Sequence, residues 1–360
     1  MRKLVFLYFL FVIPCSIFCQ QFGGNPPSHK WKQINTDSAR VIFPEGLDSQ
    51  ANRVASIVHY LAAAKPVSLG NQLQKINIVL QNQTTVPNGY VQLGPFRSEF
   101  FLTPDVNNFG QGSIPWADQL AMHEYRHVQQ FNNFNNGASK LMKTLFGQEG
   151  YALAINASIP DWFYEGDAVF NETVLAKQGR GRLPLFLNTF PSLWQSGKKY
   201  SWMKLRNGSL KDYVPNHYNL GYILVNYGRQ KYGADFWTKV TKDASAYKGL
   251  FYPFQSAIKK HAGKDYKTFR EQAFESYKKN TERVAETRDE YLFPVKKSYI
   301  NNYYFPYSVG ADSLIYLKGT ARHRRAFFIK HGTGEHKLKV RDISIDEQFS
   351  YRNGKIVYAA

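Results

Sequence analysis

The stretch QLAMHEYRHVQQF, residues 119–131, places two histidines and a glutamate on the side of a helix that should be buried. Successive helical residues turn by about 100°, so His123, Glu124 and His127 share one stripe roughly 140° wide with apolar neighbours. These neighbours are Leu120, Val128 and Phe131. Buried polar side chains need partners, and two histidines one turn apart can both reach an ion ~2 Å away. The stretch therefore predicts a metal site on a buried helix face.

HEYRH, residues 123–127, is the His-Glu-x-x-His pattern of zinc metallopeptidases. In this pattern His123 and His127 are metal ligands. Glu124, one step around the helix from His123, lies near the metal without binding it. There it can act as general base toward the water that a zinc ion activates. We expect Tyr125 and Arg126 to face a neighbouring helix.

A second stretch, PDWFYEGDAVFNET at 160–173, resembles the WxNEGxA helix of gluzincin peptidases of the aminopeptidase N type. The resemblance implies that Glu165 is the third zinc ligand. It also places a glutamate at the position of Glu172, which lies two helical turns after Glu165 and about 20° from it around the helix. We therefore expect Glu172 to orient a ligand histidine. One Zn²⁺ per chain follows from this ligand set.

Glu165 follows His127 by 165 − 127 = 38 residues, which exceeds the spacing usual in the family. We attribute the excess to an inserted loop over residues 132–159.

A third match lies in NHYNLGYILVNYGRQKYG, residues 216–233, where Tyr218 and Gly221 fit the Tyr-x-x-Gly helix of the family. The resemblance implies that the Tyr218 hydroxyl stabilises the tetrahedral intermediate. Tyr222 is the alternative, because the chain contains 24 tyrosines and one of them can occupy a fitting position merely by packing. His217 is expected to be a cap or surface residue.

The Gly-x-Met-Glu-Asn segment, with which aminopeptidases of this family hold the substrate amine, has no match before His123. The stretch YVQLGPFRSEFFLTP, residues 90–104, can supply an edge strand for an extended substrate, and Glu99 is its only acid. Aminopeptidase specificity is therefore not supported, and endopeptidase activity is equally compatible with the sequence.

The N-terminal residues are typical of an export signal. Arg2 and Lys3 precede the apolar run 4–13, and Pro14 ends this run ahead of a cleavage site near residues 19–20. This run is too short to span a bilayer, and no later segment is long enough. We expect an exported protein that is periplasmic, cell-surface or secreted. A lipid anchor on Cys15 or Cys19 is an alternative to simple cleavage.

The net charge of +19 comes from 46 basic and 27 acidic residues. Solubility is one explanation, and attraction to anionic envelope polymers or membrane surfaces is another. The export signal and the scattered basic residues argue against a nucleic-acid partner. The expected partner is a peptide or protein substrate.

The predicted fold class is α+β, with a small mixed β-sheet lobe, a mainly helical zincin lobe and a truncated β-propeller segment. The corresponding boundaries are 1–19 for the signal, 20–114 for the N-terminal α/β lobe, 115–292 for the helical catalytic lobe and 293–360 for the propeller segment. The resemblance to gluzincins covers about residues 35–290.

The C-terminal segment contains two similar units, YSVGADSLIYLKG at 307–319 and FSYRNGKIVYAA at 349–360. Alignment of Leu314 with Ile356 gives an offset of 356 − 314 = 42 residues, within the ~40–45-residue period of propeller blades. The segment resembles the start of a TolB-like β-propeller. Because one blade cannot close a propeller, we expect the chain to be either a fragment of a longer protein or a truncated product, and the partner of the propeller is unknown.

These patterns together predict an exported zinc metallopeptidase that hydrolyses peptide bonds. A rival hypothesis is a binding or scaffold protein whose propeller engages a partner and whose peptidase lobe is a relic. Retention of HEYRH and Glu165 favours the enzyme.

Overall fold

The computed structural model describes residues 25–64, 69–84, 86–105, 108–281, 299–340, 345 and 348–358. The expected export signal, including Cys15 and Cys19, lies outside these residues. Within them, helices and strands are both abundant and form several small sheets, none of which is closed. In the described part of the chain, no helix is both long and apolar enough to cross a membrane.

A five-stranded mixed sheet forms the N-terminal part of the structure. Its strands are β1 (Trp31–Asn35), β2 (Ala39–Pro44), β3 (Ile76–Gln81), β4 (Asn88–Gln92) and β5 (Arg97–Phe101). The strand order is β1-β2-β3-β5-β4, with β2, β3 and β5 parallel and with β1 and β4 antiparallel to their neighbours. The mixed sheet was predicted, whereas β1 was not. The strand β4 occupies one edge.

Helices cover this sheet and build the lobe that follows. The helices are α1 (Asp48–Ala64), α2 (Asn108–Gln111), α3 (Trp116–Asn133), α4 (Gly137–Ser158), α5 (Asp161–Leu175), α6 (Pro184–Leu187), α7 (Thr189–Gln195), α8 (Trp202–Asn207), α9 (His217–Tyr232), α10 (Phe236–Ser245), α11 (Pro253–Ala262) and α12 (Tyr266–Thr281), with a 3₁₀ turn at Arg180–Arg182.

The sheet buries one face against α1 and α3. Alternate residues of β2 and β3 point into this core, as the burial pattern of Ile76, Ile78 and Leu80 shows. Val54 and Val58 of α1 meet them from the helix side. This packing places one side of α3 in the sheet core and leaves its histidine face toward the second lobe.

The helical lobe has its own core, centred on α5 and α9. The two helices cross at Gly166 and Gly221, where a Cβ atom on Gly221 would lie 1.8 Å from the carbonyl oxygen of Trp162. Trp162, Phe163 and Trp237 are fully buried beside this crossing. Two glycines thus allow the backbones of α5 and α9 to approach closely, which brings their side chains to one cleft.

The predicted loop over residues 132–159 is wrong, because most of it is the helix α4. Gly147 interrupts α4 with φ 65° and ψ −153°. If a Cβ atom were present on Gly150, it would lie 2.8 Å from the carbonyl oxygen of Met142. In a straight helix, residues eight apart are separated by about 12 Å, so α4 folds back on itself. We call residues 137–158 the helical hairpin, with the limbs 137–146 and 148–158.

The C-terminal strands form a four-stranded antiparallel sheet in sequential order, followed by a two-stranded sheet. They are β6 (Asn301–Gly310), β7 (Ser313–Thr320), β8 (Ala326–His331), β9 (Gly334–Lys337), β10 (Phe349–Arg352) and β11 (Lys355–Tyr358). The two predicted units each form a hairpin, with turns at 311–312 and 353–354, and 353 − 311 = 42. The hydroxyl of Tyr307 donates to the carbonyl oxygen of Phe349. Propeller closure and the expected domain boundaries remain predictions.

Candidate metal centre and active site

The histidine face of α3 meets α5 at the base of a cleft. His123, Glu124 and His127 are buried there, although all three carry polar side chains. Glu165 projects from α5 toward both imidazoles. The Glu165 Oε2 atom lies 3.2 Å from the Nε2 atom of His123 and 3.6 Å from that of His127. Ligand atoms of the three residues all lie within 4.8 Å of one another.

Each imidazole also has a partner on its far side. The Nδ1 atom of His123 lies 3.1 Å from Glu172 Oε2, and that of His127 lies 2.9 Å from Gln130 Oε1. In the neutral form with a proton on Nδ1, each ring donates to its partner and leaves its Nε2 lone pair available to a cation. Glu172 was expected to contact one of the two histidines, and the structure brings it to His123.

Gln130 connects His127 to a buried ionic network that the sequence did not reveal. Its amide nitrogen donates to the carbonyl oxygen of Tyr164 and to the carboxylate of Asp167, at 2.9 and 3.0 Å. Arg126 binds the same carboxylate with two hydrogen bonds of 2.7 and 3.0 Å. Arg126 therefore faces the neighbouring helix α5, as predicted, and Tyr125 packs in the core between sheet and helices.

Arg180, on the 3₁₀ turn after α5, is a second residue that sequence motifs missed. Its guanidinium donates to both oxygens of Glu172, at 2.6 and 3.1 Å, and reaches to within 2.8 Å of His123 Nδ1. It also lies 5.1 Å from the centre of the Tyr218 ring. Arg180 thus compensates the buried charge of Glu172 and makes a cation–π contact with the Tyr218 ring.

The ionisation of the site follows from these contacts. Burial favours the neutral form of Glu172, but Arg180 and His123 outweigh it and lower the carboxyl pKa to about 2. Burial and Arg180 oppose protonation of His123, yet hydrogen bonds to Glu165 and Glu172 raise its pKa to about 9. Burial also disfavours a charged Glu165, but His127 and His123 hold the pKa of its carboxyl far below the usual range. Negative charge is therefore retained where a cation would bind.

Glu124 differs from these two carboxylates, because burial raises its pKa. It lies against the edge strand β4, at a glycine. A Cβ atom on Gly89 would come within 2.7 Å of Leu120 Cδ2 and 3.0 Å of Glu124 Oε1. The absence of a side chain at this position lets the strand backbone approach the carboxylate closely.

Tyr218 lies at the start of α9 and faces His123, with 6.4 Å between the ring centres. Burial and the negative charge of Glu165 raise the pKa of its hydroxyl above the usual value. Tyr222, the alternative candidate, instead packs in the lobe, where its hydroxyl lies 3.4 Å from the carbonyl oxygen of Gly181. His217 stacks on Tyr218 with ring centres 4.5 Å apart. Of the two tyrosines, the structure brings Tyr218 to the candidate metal ligands.

The three candidate ligands, Glu124 and Tyr218 border a cavity of about 470 Å³ between the two lobes. Its lining residues are Gly89, Tyr90, Val91, His123, Glu124, His127, Phe131, Asn156, Asp161, Trp162, Tyr164, Glu165, Arg206, Asn207, His217 and Tyr218. Glu99 is not among them, since Arg97 and Gln81 bind its carboxylate. Glu99, the acid that could have held a substrate amine, therefore makes its contacts within the sheet and not in the cavity.

No family model matches the chain, and no curated protein matches it significantly.

Proposed function

We propose that this protein is an exported zinc metallopeptidase that hydrolyses peptide bonds in the cleft between the sheet and the helical lobe. The observation that carries the proposal is the convergence of His123, His127 and Glu165, with Glu124 and Tyr218 beside them. Export rests on the N-terminal signal pattern alone.

The ligand set fits a catalytic zinc ion. Tetrahedral coordination at 2.0–2.1 Å separates ligand atoms by about 3.3 Å. The observed distances from Glu165 Oε2 to the two Nε2 atoms are 3.2 and 3.6 Å. Two imidazoles and one carboxylate match a catalytic set that would leave one position open, and all three residues line the cavity. A zinc ion held there would polarise the substrate carbonyl and lower the pKa of water.

Glu124 is suited to move the proton in peptide hydrolysis. As a carboxylate it accepts a proton from the attacking water, and as an acid it returns that proton to the amine nitrogen that leaves. Burial raises its pKa toward neutrality, which favours both directions of transfer. One proton is taken and one is given, so Glu124 ends the cycle in its starting state.

Tyr218 is suited to stabilise the oxyanion that forms when water attacks the carbonyl. Its raised pKa keeps the phenol protonated at neutral pH, so that it can donate a hydrogen bond. The edge strand β4 supports an extended substrate, because an edge strand offers backbone donors and acceptors to an added strand. Gly89, Tyr90 and Val91 of this strand line the cavity.

Glu124→Gln tests the enzyme hypothesis directly. We expect the full-length protein, loaded with one zinc per chain, to cleave unfolded protein substrates in a mass-spectrometric peptide profile. The variant should keep its zinc and lose turnover by at least ~10²–10⁴, the usual contribution of a general acid-base group. Equal and negligible cleavage by both proteins would instead favour the non-catalytic scaffold.

A further inference from the structure

The outer limb of the helical hairpin, residues 137–146, exposes a row of large apolar side chains. Leu141, Leu145 and Phe146 have 57, 62 and 63% of their surface accessible. Leu141 and Leu145 are one turn apart and therefore share a face. The inner limb is anchored differently, because Tyr151 and Ile155 are buried in the core of the lobe. The apolar row is thus presented to the outside on a supported helix.

The hairpin is attached to the body of the lobe at its root. The carbonyl oxygen of Ala154 accepts a hydrogen bond of 2.7 Å from the Tyr247 hydroxyl. At the other limb, a Cβ atom on Gly137 would lie 2.6 Å from the Cα atom of Ala246. Both limbs therefore contact residues 246–247 at the root of the hairpin, and Phe146 lies at the opposite end. The backbone amide of Gly94, in the turn after β4, donates to Gln148 just beyond this end.

The outer limb itself carries only positive charge, and the exposed Glu149 lies beyond its tip, beside Gly94. Residues 125–148 contain no aspartate or glutamate, and Lys140 and Lys143 lie on the outer limb itself. A second copy of the chain packed on this face would bring like charges together. An anionic lipid surface instead complements the lysines and accepts the leucines and the phenylalanine. The net charge of +19 also favours binding to an anionic surface.

We propose that the outer limb of the helical hairpin is a docking element for membranes that contain anionic lipids. Leu141, Leu145 and Phe146 enter the boundary between headgroups and acyl chains, while Lys140 contacts lipid phosphates. The Lys143 ammonium, 5.3 Å from the centre of the Tyr151 ring, adds positive charge beside them. Asn156 of the inner limb lines the cleft, nine residues or about 14 Å along the helix from Gly147. Docking therefore holds the cleft close to the lipid surface. This inference does not depend on the peptidase activity.

Vesicle co-sedimentation of the full chain tests the proposal. The probes are vesicles of phosphatidylcholine with about one third phosphatidylglycerol, and vesicles of phosphatidylcholine alone. We expect preferential binding to the anionic vesicles. The double variant L145S/F146S should lose roughly tenfold or more of this binding, because two apolar side chains no longer leave water. The variant K140E/K143E should lose the preference for anionic lipid.

The matched control is L250S/F251S, which removes an apolar pair that is even more exposed, at 75 and 80%, near the hairpin root. It should bind vesicles as the unaltered chain does. Equal losses in the two double variants, or no binding by the unaltered chain, would overturn the proposal. A dimer in size-exclusion chromatography that L145S/F146S converts to a monomer, without vesicle binding, would assign the face to a second copy. Unchanged melting temperatures establish that each variant is folded.

Discussion

At the scale of single residues, the two histidines of α3 are held by different kinds of partner. His123 contacts the carboxylate of Glu172, which Arg180 also binds, whereas His127 contacts the neutral amide of Gln130. A carboxylate increases the basicity of an imidazole more than an amide does. The two candidate ligands are therefore both held at Nδ1 but differ in the electron donation they receive from their partners.

Gln130→Ala should weaken zinc binding by roughly 10–100-fold, because the Nδ1 proton of His127 loses its acceptor. The affinity can be measured by competition with a chelator of known strength. Gln129→Ala is the matched control, since Gln129 accepts a hydrogen bond from Arg126 but does not touch a histidine. If both variants lose affinity equally, the effect comes from the buried Arg126–Asp167 network rather than from the orientation of His127.

Tyr218→Phe should lower kcat by about 10²–10³, the usual result of removing one donor to an oxyanion. Zinc content and KM should change little, because the ring remains and the donor acts mainly in the transition state. Steady-state kinetics on a fluorogenic peptide would measure both constants. Tyr222→Phe should remain active, since its hydroxyl faces Gly181. A loss of activity in Tyr222→Phe alone would move the oxyanion role one turn along α9.

At the scale of elements, the crossing of α5 and α9 sets the distance between the third proposed ligand and the tyrosine. Glu165 lies next to Gly166 on one helix, and Tyr218 lies one turn before Gly221 on the other. The absence of side chains at the crossing therefore determines the width of the cleft on this side.

Gly221→Ala should destabilise the protein by at least about 2 kcal/mol, because its methyl group would overlap the carbonyl oxygen of Trp162 and force the helices apart. Urea denaturation measures this loss. Activity should fall as well, since Glu165 and Tyr218 are displaced relative to each other. Gln230→Ala, at an exposed position of the same helix, is the control and should stay within about 0.5 kcal/mol. Wild-type stability in Gly221→Ala would contradict the close helix crossing.

At the scale of the whole molecule, the buried ionic groups make the free energy of unfolding depend on pH. The depressed pKa of Glu172, about 2 against 4.5, contributes stability above pH 4.5 that is lost as the pH falls toward 2. The raised pKa of His123, about 9 against 6.5, contributes stability below pH 6.5 that is lost as the pH rises toward 9. Metal-free protein should therefore be most stable between about pH 4.5 and 6.5.

This optimum can be measured by urea denaturation in chelator from pH 3 to 9. Zinc should remove the alkaline decline, because the ion requires neutral His123 and binds more tightly as the pH rises. Glu172→Gln is the matched variant and should flatten the decline at acid pH. Titration of Glu172 alone lowers the free energy of unfolding by about 3 kcal/mol as the pH falls from above 4.5 to below 2. An alkaline decline that persists with zinc would show that His123 does not bind the metal.

What the sequence determined is local. The spacing of His123, Glu124 and His127 on one helix, and of Glu165 and Glu172 on another, follows from the helical period. The structure has both helices, and within each helix these residues share a face. The small mixed N-terminal sheet was predicted, and the two C-terminal hairpins coincide with the two units of the 42-residue offset. The helical patterns depend only on neighbours within one element, and the repeat depends only on the likeness of two short segments.

The contacts between residues that are distant in sequence could be found only in the folded structure. Neither Arg180 nor Gln130 belongs to a recognisable sequence motif. Arg180 contacts Glu172 and His123, and Gln130 contacts His127. The segment 132–159 was expected to be an inserted loop because the spacing from His127 to Glu165 exceeds that of the resembled family, and spacing alone does not reveal helices. Burial of Tyr151 and Ile155 against the lobe stabilises helices there that local propensity does not favour. Tyr218 and Tyr222 were likewise separable only by the crossing at Gly221, since helix packing selects which face meets the cleft.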